Sequence, residues 1–238
     1  VRRRFFVEQF TGDTATMQGD AAHHLGNVLR AQAGQFYELS DGQRVRLGRV
    51  ERVTRDRVDF ALLEEIPGNQ PRVEVTLLLA VVKFDAFEWA IEKATELGVS
   101  TIVPLAAARS EKAQLAAAEK RADRWRKLLA EASQQSRRVR IPALEAAARP
   151  SEAFPRQNAA IKILLSERPE APALRKLLTG AAAPSAALVI GPEGGWTDEE
   201  FVIAQKTGFR EASLGKLILR TETAVIAALA SINYALGD

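Results

Sequence analysis

Two rhythms of apolar and polar residues divide the chain. Up to residue 66 the runs are short and alternate. "QFYELSDGQRVRLGRVERV" (35–53) has the period of a half-buried hairpin with Asp41-Gly42 as its turn cue. Val45 and Leu47 then face one way and Arg44 and Arg46 the other. "RVDFALLEEI" reads as a further strand, and this half is expected to form a small β-barrel. "IPGNQP" (66–71) has the composition of a linker.

Beyond the linker, apolar residues come in unbroken blocks. "VEVTLLLAVV" (73–82), "STIVPL" (100–105), "IKILL" (161–165) and "AALVI" (186–190) suit strands covered on both faces, with "EASLG" (211–215) as a shorter one. Segments with helical period stand between them. One is 85–97, with Phe87, Ile91, Ala94 and Leu97 on one side and Gly98 as a stop. A long one covers roughly 115–136, with Trp125, Leu128, Leu129 and Ala132 on its apolar side; others cover 172–178, 197–207 and 223–236. Trp89 and Trp125 are expected in a core or an interface. Alternating strands and helices imply a parallel sheet with helices on both faces. The last helix, "TAVIAALASINYAL", is apolar nearly all round and should be buried on all sides, its outer face by a second subunit.

Composition narrows the chemistry. Of 238 residues, 47% are hydrophobic, which is ample for a packed core. There are no cysteines, and the two histidines are the adjacent His23 and His24. A thiolate site, a thiol nucleophile, a zinc site or a His-based triad has little to be built from, and no metal is expected. The two histidines fall in the barrel half and suit packing or an RNA-facing role. No apolar leader and no bilayer-length run is present, so the expected location is the cytoplasm, without a membrane. Net charge is +3, but Arg109 to Arg140 holds ten Lys/Arg and four Asp/Glu. That local excess suits a polyanion; a solvated helix face would look the same.

Two turns carry candidate chemistry. In "ALVIGPEGGWTDEE" (187–200) a buried strand stops at Gly-Pro-Glu-Gly-Gly and a helix follows at once. Thr197 and Glu200 have the spacing of a capping box, with Trp196 and Phe201 as a hydrophobic staple. The glycines allow close backbone approach or positive φ. The turn lies where open α/β sheets bind ligands, beyond a strand's C-terminal end. Glu193 and the acidic helix start (Asp198, Glu199, Glu200) would repel a phosphate, so the pocket favours a neutral or cationic ligand. The second turn, "LGKLILRTETA" (214–224), sets Arg220, Thr221, Glu222 and Thr223 at the start of the last helix, with Thr221 as the expected N-cap.

"IGPEGG" followed by "LG…ILRTETA" closely resembles the RsmE family of SPOUT RNA methyltransferases, and the likeness spans the chain. "HHLGNVLRAQAGQ" (23–35), "KFDAFEWAIEKATELGVSTIVPL" (83–105) and "EASQQSRRVRIP" (131–142) are similar to further blocks of that family. The resemblance implies an α/β chain: a PUA-like β-barrel over 1–68, then a parallel-sheet SPOUT domain with a C-terminal trefoil knot over 72–238. It implies a homodimer, S-adenosylmethionine held in the knot, and methylation of N3 of one uridine in small-subunit (16S) ribosomal RNA. It assigns the cofactor to Ile190, Gly191, Pro192, Glu193, Gly194 and Gly195, to Leu214, Gly215, Leu219 and Thr221, and to the strand end at Leu165 and Ser166. Arg30, Lys83, Arg109, Arg137 and Arg138 are the expected RNA contacts. The chain departs from the pattern at Ala86 and Leu217, where the family has arginine, and at Arg137, where it has glycine.

N3 of uridine carries a proton at neutral pH, so methyl transfer needs its removal and a cation for the charge left on the base. Arg220 suits the cation's role, since a guanidinium can bind an anionic O–C–N edge bidentately. Glu193 and Glu222 are candidates for the base, as is hydroxide. Two rivals stay open from the sequence: a SPOUT enzyme with another RNA target, and a non-catalytic RNA-binding assembly factor.

Overall fold

The computed structural model describes residues 3–68 and 70–237. Its contacts form two units. One contains the chain up to Gln70 together with Ser133–Ile141; the other contains Pro71–Ala132 and everything from Pro142 onward.

The first unit is a curled sheet of β1 (Arg4–Phe6), β2 (Phe10–Thr11), β3 (Thr14–Gln18), β4 (Phe36–Ser40), β5 (Val45–Val53) and β6 (Arg57–Ile66), in the order β1-β4-β5-β6-β3-β2. All neighbours are antiparallel except β1 and β4. The expected hairpin is β4–β5. Asp41 Oδ1 accepts from the amides of Gln43 and Arg44, and Gly42 takes φ of 85°. Val45 and Leu47 are buried, as their alternation requires. A helix, α1 (Gly19–His23), continues into a π-type turn over His24–Val28, which no periodicity announces. Its Leu25 is fully buried with Leu39, Val58 and Phe60.

Ser133–Ile141 is tied to this sheet by polar groups. The Arg4 guanidinium binds Glu38 at 2.9 and 3.1 Å and donates to the Arg137 carbonyl. Both members of the Arg4–Glu38 pair are buried. Ser40 Oγ donates to the Val139 carbonyl at 2.6 Å, and Arg140 Nε to that of Gly42 at 2.8 Å. Such groups leave no signature in hydrophobic periodicity, so a division at the linker alone does not place this segment.

The second unit is a parallel sheet of β7 (Glu74–Ala80), β8 (Thr101–Leu105), β9 (Ala143–Leu144), β10 (Ile161–Leu165), β11 (Ser185–Ile190) and β12 (Arg210–Ala212), ordered β12-β10-β11-β7-β8-β9. Its helices are α2 (Phe84–Glu96), α3 (Lys112–Gln135, whose last turn falls in the first unit), α4 (Pro150–Ala153), α5 (Leu174–Leu178), α6 (Asp198–Lys206) and α7 (Thr221–Leu236). Because side chains alternate along a strand, β7, β8, β10 and β11 each feed two cores. Val75, Leu77 and Leu79 join Ile163 and Leu188 under α2, α3, α5 and α7. Leu78 and Ala80 join Leu164 and Val189 under α4 and α6. The buried Trp125 ring lies 4.6 Å from Phe87.

Several expectations are corrected. The strand expected over 211–215 ends at Ala212, and Leu214 onward is loop. Trp89, expected in a core or an interface, lies on the outer side of α2 at 42% exposed, which removes the core alternative and leaves the interface one. α7 packs on α2, and Asn233 Nδ2 donates to the carbonyl of Leu97 at 2.8 Å. One side of α7 is nevertheless uncovered within the chain, with Tyr234 93% exposed. The basic run on α3 is partly neutralised: Arg121 and Arg124 pair with the buried Glu88 at 3.3 and 2.9 Å.

Helix ends differ between the units. α2 and α6 close with paired bonds, from Gly98 N to Thr95 O with Val99 N to Ala94 O, and from Gly208 N to Gln205 O with Phe209 N to Ala204 O. Glycine supplies the left-handed residue in both. α3 closes in the same way, but on Arg137 at φ 56°, and the turn after α1 closes on Arg30 at φ 54°. A side chain in that region costs roughly 1 kcal/mol.

Removing one member of a buried ion pair strands the other. Arg4→Met is expected to lower the unfolding free energy by about 3–5 kcal/mol in chemical denaturation. It should also raise amide exchange across 133–141; protection there equal to wild type would break the link drawn between Arg4 and that segment.

Candidate active site

The C-terminal ends of β10, β11 and β12 open onto a cavity of about 450 Å³. Its wall takes Leu165 and Ser166 from the end of β10, Ile190 through Glu193 and Gly195 from the loop after β11, and Leu214 through Leu219 from the loop after β12. Thr221 and Ala224 of α7 and Asp198 and Phe201 of α6 complete it. Of the residues expected at the cofactor, all but Gly194 line this cavity.

Three contacts hold the walls together. Trp196 is buried against Phe154, and its Nε1 donates to the Leu165 carbonyl at 3.0 Å, joining the loop after β11 to the end of β10. Thr221 Oγ1 donates to the Gly191 carbonyl at 3.3 Å, joining the start of α7 to the same loop. Arg109 Nη1 donates to the Gly194 carbonyl at 2.7 Å. Glu200 closes the predicted capping box with Thr197 and also accepts the Ala108 amide at 2.9 Å, which fixes the loop after β8.

The glycines now have individual reasons. A Cβ on Gly191 would lie 2.9 Å from Trp196 Cε2, so this position is bare to admit the indole. Gly194 faces Arg109 Cβ at 3.2 Å in the same sense. Gly195 and Gly215 take φ of 69° and 143°.

The wall mixes charges: Arg109, Arg168 and Lys216 with Glu167, Glu193 and Asp198. Arg168 binds Asp198 at 2.7 Å and stacks 3.5 Å over the Phe201 ring. Glu193 is exposed in the wall. The other catalytic candidates, Arg220 and Glu222, flank Thr221 but lie outside the wall. Arg220 is exposed and is itself the N-cap of α7; Thr221, expected there, is the first helical residue and buried. Leu217 and Ile218 project at the mouth, 82% and 80% exposed. Among the expected RNA contacts, Lys83 is exposed after β7 and Arg109 follows β8, on the same edge of the sheet. Arg30, Arg137 and Arg138 belong to the first unit. Burial lowers the pKa of Arg138 to about 10, which leaves it cationic at neutral pH.

Sequence reasoning placed Trp196 in a staple with Phe201 but missed its bond to the Leu165 carbonyl, and it missed Arg168 and the second bond of Glu200. The position of Trp196 directly after Gly-Gly is the one available signal, since a large aromatic beside removed side chains indicates packing into the gap.

A family model described as RNA methyltransferase domain matches residues 69–233, and one described as RNA methyltransferase PUA domain matches 18–63. The chain is 34% identical to ribosomal RNA small subunit methyltransferase E of Synechocystis sp., over 95% of this chain and 75% of that protein. It is 30% identical to the protein of that name from Bacillus subtilis, over 98% and 96%. The crystal structure of ribosomal RNA small subunit methyltransferase E from Neisseria gonorrhoeae, bound to S-adenosyl methionine, superposes with a TM-score of 0.89 at 28% identity, covering 100% of this chain and 99% of that one. A Legionella pneumophila structure in complex with bound SAM gives 0.90 at 28%, with the same coverage.

Gly191→Ala tests the packing of the loop. The added methyl must displace the indole and its bond to Leu165, at an expected cost of about 1–3 kcal/mol. Thermal unfolding should shift down and tryptophan emission to the red; unchanged emission would mean the indole is not seated on Gly191.

Proposed function

Since the chain belongs to the family of ribosomal RNA small subunit methyltransferase E, we propose that it transfers a methyl group from S-adenosylmethionine to N3 of a uridine in 16S ribosomal RNA. The observation that carries this is the cavity walled by 190–193, Gly195, 214–219 and Thr221, at the strand ends where such a ligand is expected. About 450 Å³ falls in the range of small-molecule sites. Its wall has the mixed character the donor needs: apolar Leu165, Ile190, Leu214 and Leu219 beside a carboxylate, Glu193.

S-adenosylmethionine supplies an electrophilic methyl group on a sulfonium. In this reading the backbone of Ile190–Gly195 and of Leu214–Leu219, with Ser166 and Thr221, holds it. Glu193 places its carboxylate on the cationic side. Arg220 and Glu222, on the solvent side of the same helix start, meet an incoming base first. Arg220 stabilises charge developing on the uracil oxygens, and Glu193 or Glu222 accepts the N3 proton. Lys83 and Arg109 on the sheet edge, with Arg30, Arg137 and Arg138 of the PUA-like unit, contact RNA phosphates. The uncovered side of α7 and the exposed Leu217 and Ile218 suit a second copy, so the enzyme acts as a homodimer in the cytoplasm. The family resemblance implies a C-terminal trefoil knot in this second unit.

Transfer of labelled methyl to small subunits and to naked 16S ribosomal RNA, mapped by nuclease digestion and mass spectrometry, tests this reading. The expected product is 3-methyluridine at one site. Label elsewhere would move the target, and absence of both label and donor binding would leave an RNA-binding factor.

Arg220→Ala separates binding from chemistry. Transfer should fall by about 100-fold or more, while donor affinity by calorimetry stays within a few-fold; normal turnover would remove Arg220 from the mechanism.

A further inference from the structure

The cavity wall carries Arg109, Arg168 and Lys216. Arg109 is committed to the Gly194 carbonyl, and Lys216 stands exposed in the loop after β12. Arg168 is held differently. Its Nη2 donates to Asp198 Oδ1 at 2.7 Å, and its Cζ lies 3.5 Å from the centre of the Phe201 ring. A guanidinium standing on edge would drive a nitrogen into the ring at that distance, so the two planes are stacked.

The backbone that carries it is fixed as well. Arg168 N donates to Ser166 Oγ at 3.1 Å, Ser166 N to Ala212 O at 2.9 Å, and Ala171 N to Arg168 O at 3.0 Å. The loop after β10 is thereby tied to β12, and the Arg168 side chain leaves it over the start of α6.

Stability does not explain this arrangement. Asp198 is 96% exposed, and an ion pair so open to solvent adds little. Ordering a long side chain costs a comparable amount. What the arrangement provides is a flat cation in the cavity wall. Phe201 covers one face of the guanidinium. The side chain keeps 37% of its surface, and no second ring or further hydrogen bond to the guanidinium is present among the described residues. The other face is free to take a flat group.

The proposed reaction needs such a surface. A uridine must leave its stack before N3 can meet the methyl group, and it loses its stacking partners when it does. Unstacked bases are held on aromatic rings or on guanidinium planes. A cation free to swing meets a phosphate as readily as a base. One pinned at its edge and backed by a ring presents a face.

We propose that Arg168, pinned by Asp198 and backed by Phe201, is the platform on which the extruded target base stacks. The assignment rests on the RNA-methyltransferase reading above. It gives the base a contact on its face, where Arg220 is assigned its edge. Asp198 and Phe201 are positioning residues that act through Arg168. RNA affinity comes mainly from phosphate contacts. Loss of the platform therefore lowers the fraction of bound RNA whose base is extruded, and kcat falls while binding stays.

The test compares wild type, Arg168→Lys, Arg168→Tyr and Asp198→Ala in the full chain. It follows turnover on naked 16S ribosomal RNA, donor affinity by calorimetry and RNA affinity. Arg168→Lys keeps the charge and loses the plane; Arg168→Tyr keeps a plane and loses the charge. The expected kcat is about 10- to 100-fold lower for Arg168→Lys and within about fivefold of wild type for Arg168→Tyr. Donor and RNA affinities should stay within a few-fold in both. Asp198→Ala frees the guanidinium and should lower kcat by a smaller factor, with the KM for RNA unchanged. Turnover kept in Arg168→Lys and lost in Arg168→Tyr would make Arg168 a charge contact and overturn the proposal. So would equal loss in the two, unchanged turnover in both, or a fall in donor affinity that matches the fall in kcat. Failure of wild-type protein to methylate the RNA would instead overturn the functional reading on which it rests.

Discussion

The site depends on one packing contact, the Trp196 indole laid against Gly191 with its Nε1 on the Leu165 carbonyl. In a parallel sheet the strands end at independent loops, and nothing in the ladder itself fixes those loops relative to one another. The indole spans the gap between the ends of β10 and β11, and Thr221 adds the start of α7 through Gly191. Three chain segments far apart in sequence thereby share one anchor. The polar bonds are individually worth about 1 kcal/mol. They are decisive because the indole, buried among Phe154 and its neighbours, cannot move without opening the second core.

Most of the architecture was legible because its signals are periodic. Continuous apolar blocks gave β7, β8, β10 and β11 nearly to their ends, and the Phe87–Ile91–Ala94 spacing gave α2 with Gly98 as its stop. The two polar turns were identifiable because glycine, proline and capping residues are local. What escaped was non-local or aperiodic. The attachment of Ser133–Ile141 to the first sheet rests on Arg4, Glu38 and Ser40, more than 90 residues away. The π-turn has no period to detect. Residues of the wall followed from the motif, but their mutual bonds did not, because a carbonyl acceptor such as that of Leu165 is invisible in a sequence.

Glycines at the site illustrate the difference between a pattern and its cause. Gly191 looked like a place where backbone approaches a ligand; its α-hydrogen side is filled by Trp196. Gly194 is similarly covered by Arg109. The loop is glycine-rich chiefly so that it can be braced from behind. Bracing holds the loop in place at the cavity, so that on the proposed reading a donor bound there would lose little to reorganisation of the protein.

Charge follows the same logic. The sequence shows ten cations between Arg109 and Arg140, which reads as a polyanion-binding surface. In the structure Arg109 braces Gly194, Arg121 and Arg124 neutralise Glu88, Arg126 pairs with Asp123, and Arg140 holds the Gly42 carbonyl. Cations committed in this way keep their long-range field but have fewer donors left for a phosphate. Long-range charge brings RNA to the surface at a rate that salt screens; register needs a guanidinium whose donors are still available. On the proposed reading, register would come from a small number of individually placed arginines, and net charge is a poor guide to which ones.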